Sequence, residues 1–241
     1  MTAPKAILLD LDDTLLDMYS AMHSSWQEIC AEVAPPLGGD AASLRETIRR
    51  ESAIFWADEE TVAEYRVRPL DSRTHIVRLS LLAEGLDDSD AEEIAARSLR
   101  GYLDRLAPFD DSIATLETLR SQGYRLGMVT NGSSDTQREK IERWNLEPYF
   151  DEIVIESEFG RGKPDPGVFA KALAGTGAAP NEAWMVGDNL YADIGGARGA
   201  GIHSVWIHRG RLEFPDDPPA HPHRRIGHFD ELHAALDAAA E

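Results

Sequence analysis

The sequence predicts an α/β fold in which a parallel-sheet core is interrupted after its first strand by an all-helical insertion. The short apolar run Ala6-Ile7-Leu8-Leu9 ends in the acidic segment 10–14, which is typical of a buried strand that opens into a polar loop. Residues 15–106 then carry amphipathic patterns and little strand-like alternation. From Pro108 onward helical and strand-like segments alternate, which indicates a parallel sheet with crossover helices.

The segments after Pro108 can be assigned in order along the chain. The predicted strands are 125–130, 153–155, 184–187 and 204–207, and the predicted helices are 112–122, 134–145, 165 onward, 190–200 and 230–239. Residues 209–228, rich in Pro, Asp and His, are predicted to form a surface connection. Residues 1–14 and 108–241 should therefore form a Rossmann-like parallel sheet with helices on both faces, and residues 15–107 a helical cap.

The charge balance restricts the partners of the protein. With 24 Lys and Arg against 43 Asp and Glu, the chain has a formal net charge of −19, which repels nucleic acid and anionic membranes. We expect a small-molecule partner instead. An anionic one would need a local positive group such as a metal ion, a lysine or a helix N-terminus. No feature of the sequence specifies an oligomeric state.

The cysteine count and the N-terminal segment bear on the compartment. Cys30 is the single cysteine, so no intramolecular disulfide can form, which fits a reducing environment. Nothing near it in sequence would activate the thiol, and we expect a small, buried apolar residue. The N-terminal segment lacks the apolar core of a signal peptide, and no stretch has the length of a membrane span. We therefore expect a cytoplasmic protein.

Acidic and polar residues follow the predicted strands at the points where each strand ends. In a sheet of this kind ligands bind beyond the carboxyl ends of the strands, so these residues should lie at one site. Each pattern alone is typical of a turn, whereas their joint occurrence points to function. In chain order they are Asp10 and Asp12, then Thr130, Asn131 and Gly132, then Lys163, and finally Asp188 and Asp193.

The chemistry of these residues suits a metal ion and a phosphate. Asp10 and Asp12 are two positions apart in an extended segment, so both can face one ligand. Close carboxylates repel each other unless a cation intervenes, and with Asp188 they supply the oxygen ligands that Mg²⁺ prefers. Lys163 adds positive charge, while the Thr130 hydroxyl and a backbone N–H of Asn131 or Gly132 can bind phosphate oxygens.

Four segments together resemble the motifs of the haloacid dehalogenase-like hydrolase superfamily. They are Asp10-Leu11-Asp12-Asp13-Thr14-Leu15, Val129-Thr130-Asn131-Gly132, Gly162-Lys163-Pro164-Asp165-Pro166, and Val186-Gly187-Asp188-Asn189 with Asp193. The resemblance covers residues 6–207 in order, and the insertion after the first motif is similar to the small helical cap of that superfamily. Within the superfamily, the subgroup that contains N-acylneuraminate-9-phosphatase and pyrimidine nucleotidases is the nearest in character.

The resemblance implies a phosphatase with an aspartyl-phosphate intermediate. Asp10 would be the nucleophile, and Asp12 would protonate the leaving oxygen and then deprotonate the attacking water. Thr130, with Asn131 and the neighbouring backbone, would hold the phosphoryl group. Lys163 would neutralise charge on both that group and Asp10. The substrate would be a small phosphorylated metabolite.

The resemblance also implies Mg²⁺ as the cofactor. Asp10, the backbone carbonyl of Asp12, and Asp188 would bind the ion, and Asp193 would support them. Asp12 separates two chemistries of the superfamily, because true dehalogenases carry an aromatic residue there and use no metal. Dehalogenation is therefore disfavoured.

Two other functions remain open at the level of sequence. A phosphomutase acting on a sugar phosphate would use the same core and the same pair of aspartates. A phospho-aspartate signalling switch would also combine acidic residues, a Thr and a Lys, but the long helical insertion and Asp188 have no counterpart there.

The cap offers candidates for substrate contacts. We expect the insertion to close over the site and exclude water. Arg66, Arg68 and Arg73 could reach a substrate, although surface arginines are commoner on a helical unit. Phe55 and Trp56 could line a pocket, although packing within the cap is the default for such side chains.

Overall fold

The fold is that of a computed structural model, which describes residues 4–240 apart from the side chains at positions 59, 63 and 240. The chain forms two compact units: one has a first segment that ends at Asp17 and resumes at Pro108, and the other spans Met18–Ala107. The sequence placed the first boundary after residue 14. The structure keeps Leu15 and Leu16 in the first unit because both are fully buried there.

One sheet of parallel strands forms the centre of the first unit. Its strands are β1 (Ala6–Leu9), β2 (Arg125–Thr130), β3 (Glu152–Ile155), β4 (Ala183–Gly187), β5 (His203–Ile207) and β6 (Arg224–Ile226). Their order across the sheet is β3-β2-β1-β4-β5-β6, and every neighbouring pair is parallel. The predicted α/β fold with a parallel sheet is confirmed.

The central position of β1 follows from its sequence. All four of its residues are apolar and buried, as expected of a strand covered on both faces. Its last residue, Leu9, pairs with Met128 of β2 on one side and with Val186 of β4 on the other. The strand order reverses at β1, and that reversal is the place where an open parallel sheet forms a ligand-binding crevice.

The second unit is all helical. Its helices are α1 (Met18–Val33), α2 (Ala41–Phe55), α3 (Glu59–Tyr65), α4 (Pro69–Ala83) and α5 (Ala91–Arg105). Apolar residues of α1, α2, α4 and α5 form one buried core, which includes Cys30, Ile48 and Leu81. Burial raises the pKa of the Cys30 thiol to about 11, so the thiol is uncharged at neutral pH. The expectation of a small, buried apolar residue is confirmed.

Helices of the first unit cover the sheet. They are α6 (Ser112–Ser121), α7 (Ser134–Arg143), α8 (Glu156–Phe159), α9 (Pro166–Thr176), α10 (Gly196–Gly199) and α11 (Glu231–Ala240). Helix α9 packs Val168 and Phe169 onto a core that includes Leu8, Val129 and Met185 of the strands. Across residues 4–240, no helix combines the length and apolar character that a bilayer span requires.

The segment predicted as a helix over 190–200 takes a less regular form. Leu190–Gly195 is a π-helix, which continues into the single turn of α10. Its first N–H groups are bound by the side chain of Asn189, whose Oδ1 accepts from Tyr191 N at 3.0 Å and Ala192 N at 2.8 Å. The glycines permit close packing, since a Cβ added at Gly196 would lie 2.6 Å from the ring of Phe169.

The prediction that residues 209–228 form a surface connection was partly wrong. Arg224–Ile226 forms β6, which pairs in parallel with β5 at the edge of the sheet. The sequence Arg-Arg-Ile gives no apolar run, and only Ile226 of the three is buried, so hydrophobic pattern alone does not identify it as a strand. Edge position explains the pattern, because an edge strand needs few buried side chains.

The contact between Gly196 and Phe169 provides a test of the packing. Gly196→Ala should lower the free energy of unfolding by about 1–3 kcal/mol, because the new methyl group must displace a fully buried ring. Gly199→Ala is the matched control, since a Cβ there meets nothing within 4 Å. Urea unfolding of the two variants checks this, and equal stabilities would contradict the packing described.

Candidate active site

The carboxyl edge of the central strands carries the acidic and polar residues that the sequence singled out. Asp10 follows β1, Thr130 ends β2 and Asp188 follows β4. Because β1 is in register with both β2 and β4, these three residues emerge at the same edge of the sheet. Asp193 reaches this edge from the π-helix that follows β4.

Three carboxylates meet there. Asp10, Asp188 and Asp193 each offer an oxygen, and these atoms all lie within 4.8 Å of one another. Asp10 and Asp193 are buried and Asp188 is half-buried. Carboxylates this close, withdrawn from water, are unfavourable in their charged forms unless a cation lies among them.

The ammonium group of Lys163 supplies part of that positive charge. Its Nζ lies 2.5 Å from Asp10 Oδ1 and 2.7 Å from Asp193 Oδ1, and its side chain is only 2% exposed. A lysine buried this deeply is tolerated because two carboxylates pair with it. The structure therefore joins the predicted residue of the third motif to those of the first and the fourth.

Asn131 fixes the position of the Lys163 backbone. Its Oδ1 accepts a hydrogen bond from Lys163 N at 2.7 Å, and its Nδ2 donates to Lys163 O at 2.9 Å. The side-chain amide of Asn131 is thus engaged with the protein. In the neighbouring residue, Gly132 N donates to Glu156 Oε2 at 2.9 Å. Of the two backbone N–H groups that the sequence offered for phosphate binding, that of Gly132 already has a partner.

Asp193 is held by the backbone on its other side. Its Oδ2 accepts a hydrogen bond from Asn189 N at 2.9 Å. The approach is possible because residue 187 is glycine: a Cβ added there would lie 2.3 Å from the Asp193 carboxyl group. Asp193 is therefore fixed by both a buried ion pair and a backbone donor.

Electrostatics at the site reflect the crowding of negative charge. Burial raises the pKa of Asp10 to about 7; Lys163 opposes the rise and Asp193 adds to it. Burial, followed by the charges of Asp10 and Asp193, holds the pKa of Asp188 well above its usual value. Burial by itself would lower the pKa of Lys163, but the two paired carboxylates raise it overall, so the lysine stays charged.

The donor set fits a hard divalent cation. It consists of carboxylate oxygens, which Mg²⁺ prefers over nitrogen or sulfur. The raised pKa values of Asp10 and Asp188 point the same way, because a bound cation would offset the repulsion and desolvation that cause them. Asp10, Asp188 and Asp193 are the side chains that would hold the ion.

The carboxylate of Asp12 lies in a second network. Lys140 Nζ donates to its Oδ1 at 2.8 Å and to its Oδ2 at 2.7 Å, and Gln137 Nε2 donates to Oδ2 at 3.1 Å. Gln137 Nε2 also lies 2.6 Å from Thr130 Oγ1. The predicted acid–base residue and the predicted phosphate-binding hydroxyl are thus joined through one amide.

Sequence reasoning missed Gln137 and Lys140. Both lie on α7, whose residues are so polar that the sequence predicts a solvent-exposed helix. The available signal was Ile141, the one apolar residue on that helix, which marks the buried face. Gln137 lies four positions before Ile141 and three before Lys140, so it neighbours both residues on the helix surface.

Four of the five candidates in the helical unit contact other side chains of that unit. The Phe55 ring contacts those of Trp56, Tyr65 and His75. Arg73 lies 4.9 Å from the centre of the Tyr102 ring, and Arg68 pairs with Glu64 at 3.4 Å. The two aromatic candidates, Phe55 and Trp56, therefore pack within the cap.

A family model of the haloacid dehalogenase-like hydrolases matches residues 4–201 of the chain. The chain belongs to this family. Phosphoserine phosphatase of Thermus thermophilus is 34% identical over 96% of this chain and 98% of its own length. N-acylneuraminate-9-phosphatase of Mus musculus is 30% identical over 97% of this chain and 94% of its own length.

A solved structure agrees with the family assignment. The crystal structure of a HAD phosphatase from Thermococcus onnurineus is 29% identical and superposes with a TM-score of 0.66, covering 96% of this chain and 97% of that one. The predicted membership of the haloacid dehalogenase-like hydrolases is confirmed. The cluster of carboxylates formed by Asp10, Asp188 and Asp193 is therefore the candidate active site of a hydrolase.

The buried lysine of this hydrolase gives a prediction about stability. In metal-free protein, Lys163→Met should lower the free energy of unfolding by about 3–5 kcal/mol, because Asp10 and Asp193 would remain buried without their cation. Lys171→Met is the matched control: Lys171 is half exposed, pairs with Glu152 at 3.1 Å, and its loss should change stability by at most about 0.5 kcal/mol. Urea unfolding in EDTA measures both, and similar values for both variants would argue against the network.

Proposed function

We propose that this hydrolase removes the phosphoryl group from a small phosphorylated metabolite through an aspartyl-phosphate on Asp10, with Mg²⁺ as its cofactor. The observation that carries the proposal is the environment of the Asp10 carboxylate. It lies 2.5 Å from the Lys163 ammonium and among the oxygens of Asp188 and Asp193. The chain is a phosphoric monoester hydrolase, the class to which both relatives named above belong by name.

Asp10 is the nucleophile in this proposal. Lys163 favours the charged form of its carboxylate and fixes one oxygen by hydrogen bonding. In the first step a carboxylate oxygen of Asp10 forms a bond to phosphorus, and the bond from phosphorus to the ester oxygen breaks. When bound, Mg²⁺ supplies positive charge that offsets the carboxylates and the phosphoryl oxygens gathered at the site.

Asp12 acts as a general acid in the first step and as a general base in the second. It donates a proton to the departing ester oxygen, and it then accepts one from the water that attacks the phosphoaspartate. Release of inorganic phosphate regenerates the Asp10 carboxylate. An alkoxide is a poor leaving group, so an acid at position 12 supports phosphate-ester hydrolysis over dehalogenation.

Thr130 and Lys163 bind the phosphoryl group. The Thr130 hydroxyl is buried at the end of β2, at the edge of the sheet that carries the carboxylates, and it offers a hydrogen-bond donor to a phosphoryl oxygen. Lys163 supplies positive charge at the site of a chain whose net charge is −19. Both groups are fixed before substrate arrives, which is the condition for effective charge stabilisation.

The relatives suggest which substrates to try. One is named for phosphoserine and one for the 9-phosphate of an N-acylneuraminate, and both names point to small phosphate monoesters. We propose the same broad class for this chain. A panel of phosphoserine, sugar phosphates, three-carbon phosphates and nucleotides, compared by kcat/KM, would identify the preferred member.

Phosphate release with Mg²⁺ and with EDTA tests the function. Continuous release that needs Mg²⁺ supports the phosphatase. Isomerisation of a sugar phosphate without net release would instead identify a phosphomutase. Stoichiometric labelling of the protein without turnover would identify a signalling switch.

The role of Asp12 gives a second test. Asp12→Asn should lower turnover by about 10²- to 10⁴-fold, because the variant can neither protonate the leaving oxygen nor activate water, while some phosphoryl-enzyme still forms. Asp135→Asn, an exposed aspartate at the start of α7, is the control and should hydrolyse substrate like the wild type. Rapid-quench labelling and steady-state assays measure both quantities. Unchanged hydrolysis by Asp12→Asn would refute its role.

A further inference from the structure

Helix α7 places two polar side chains against the site that the proposed function does not use. Gln137 is 2% exposed and Lys140 is 3% exposed. Burying an amide and an ammonium costs free energy unless each finds hydrogen-bonding partners. The partners of Gln137 and Lys140 therefore show what the two side chains do. These partners are Asp12, assigned to proton transfer, and Thr130, assigned to phosphoryl binding.

Lys140 donates hydrogen bonds to both oxygens of the Asp12 carboxylate. Its Nζ lies 2.8 Å from Oδ1 and 2.7 Å from Oδ2, and it donates to Gln137 Oε1 at 2.8 Å. A contact with both oxygens restrains rotation of the carboxylate about its last bond as well as its position. A bond to one oxygen would leave that rotation free.

The orientation of the Gln137 amide follows from the chemistry of its neighbour. A lysine ammonium can only donate, so the oxygen of Gln137 must face Lys140. Its Nε2 then faces Asp12 Oδ2 at 3.1 Å and Thr130 Oγ1 at 2.6 Å. Since Thr130 Oγ1 accepts this bond, its own hydrogen is directed elsewhere and is available to a phosphoryl oxygen.

We propose that Lys140 and Gln137 are positioning residues: Lys140 fixes the orientation of Asp12, and Gln137 ties Asp12 to the Thr130 hydroxyl. The inference rests on the proposed function, because it assumes the roles given to Asp12 and Thr130. Neither α7 residue touches the substrate. Their effect is to keep the proton-transfer group and the phosphoryl-binding hydroxyl in a fixed relation throughout the two steps.

Asp10 and Asp12 are held by different lysines. Asp10 and Asp12 are only two positions apart, and each pairs with a different buried lysine: Asp10 with Lys163 and Asp12 with Lys140. Because each carboxylate has its own lysine, the two carboxylates do not compete for one cation. The nucleophile and the acid–base residue can then act independently.

A double-mutant cycle tests the action of Lys140 through Asp12. With p-nitrophenyl phosphate and Mg²⁺, Lys140→Met should lower kcat about 10- to 100-fold with KM changed by less than about twofold, and Lys140→Arg should recover part of the loss. In the Asp12→Asn background the same substitution should cost less than about twofold, because the group it positions is already gone. Equal losses in the two backgrounds would overturn the proposal.

Inorganic phosphate as a competitive inhibitor separates the two positioning residues. Gln137→Met should raise the inhibition constant about threefold to tenfold, through the loss of one hydrogen bond that orients Thr130. Lys140→Met should leave that constant within about twofold of wild type. An unchanged constant in Gln137→Met would contradict the link to Thr130.

Controls separate these outcomes from misfolding and from failure of the proposed function. Lys171→Met removes an exposed lysine of the same unit and should match wild type in every assay. Circular dichroism and thermal unfolding verify each variant, and if Lys140→Met is unfolded at the assay temperature, the cycle is run with Gln137→Met. A wild type that releases no phosphate would refute the proposed function, whereas an active wild type with additive losses would refute only the positioning role.

Discussion

The Lys163 ammonium lies between the buried carboxylates of Asp10 and Asp193, and the rest of the site is arranged around that contact. The buried carboxylates are stabilised in their charged form by the lysine, and the buried lysine is stabilised in its charged form by the carboxylates. Asn131 holds the lysine backbone and Gly187 leaves room for Asp193. The three strands that end together at this edge supply the frame in which these distances are kept.

Two buried lysines reduce the negative charge of a site at which four aspartates gather. A net charge of −19 would repel an anionic substrate, yet two lysines are buried at the carboxyl edge of the sheet. Lys163 and Lys140 each neutralise one aspartate of the first motif. Their charges act at short range in a medium of low polarity, where each is worth more than on the surface.

The sequence was sufficient for the parallel core, because its strands are continuous apolar runs that end in polar residues. It was also sufficient to predict that Asp10 and Asp188 lie close together, since each directly follows a strand of the sheet. Lys163 lies beyond α8, so its pairing with Asp10 does not follow from the strand ends and becomes evident in the structure. It was insufficient for β6, an edge strand with one buried side chain. It missed Lys140 and Gln137 because a buried polar pair on a polar helix leaves no hydrophobic pattern, and only the contacts with Asp12 reveal it.

The insertion after β1 has a consequence for how the chain folds. β1 is synthesised before both of its neighbours, β2 and β4, which come from beyond the helical unit. Helical contacts close over short stretches of chain, whereas pairing of β1 must close a long loop and carries its entropic cost. We therefore expect the helical unit to form on the emerging chain before β1 is paired, so that Asp10, which follows β1, reaches its final surroundings only after β4 has been synthesised.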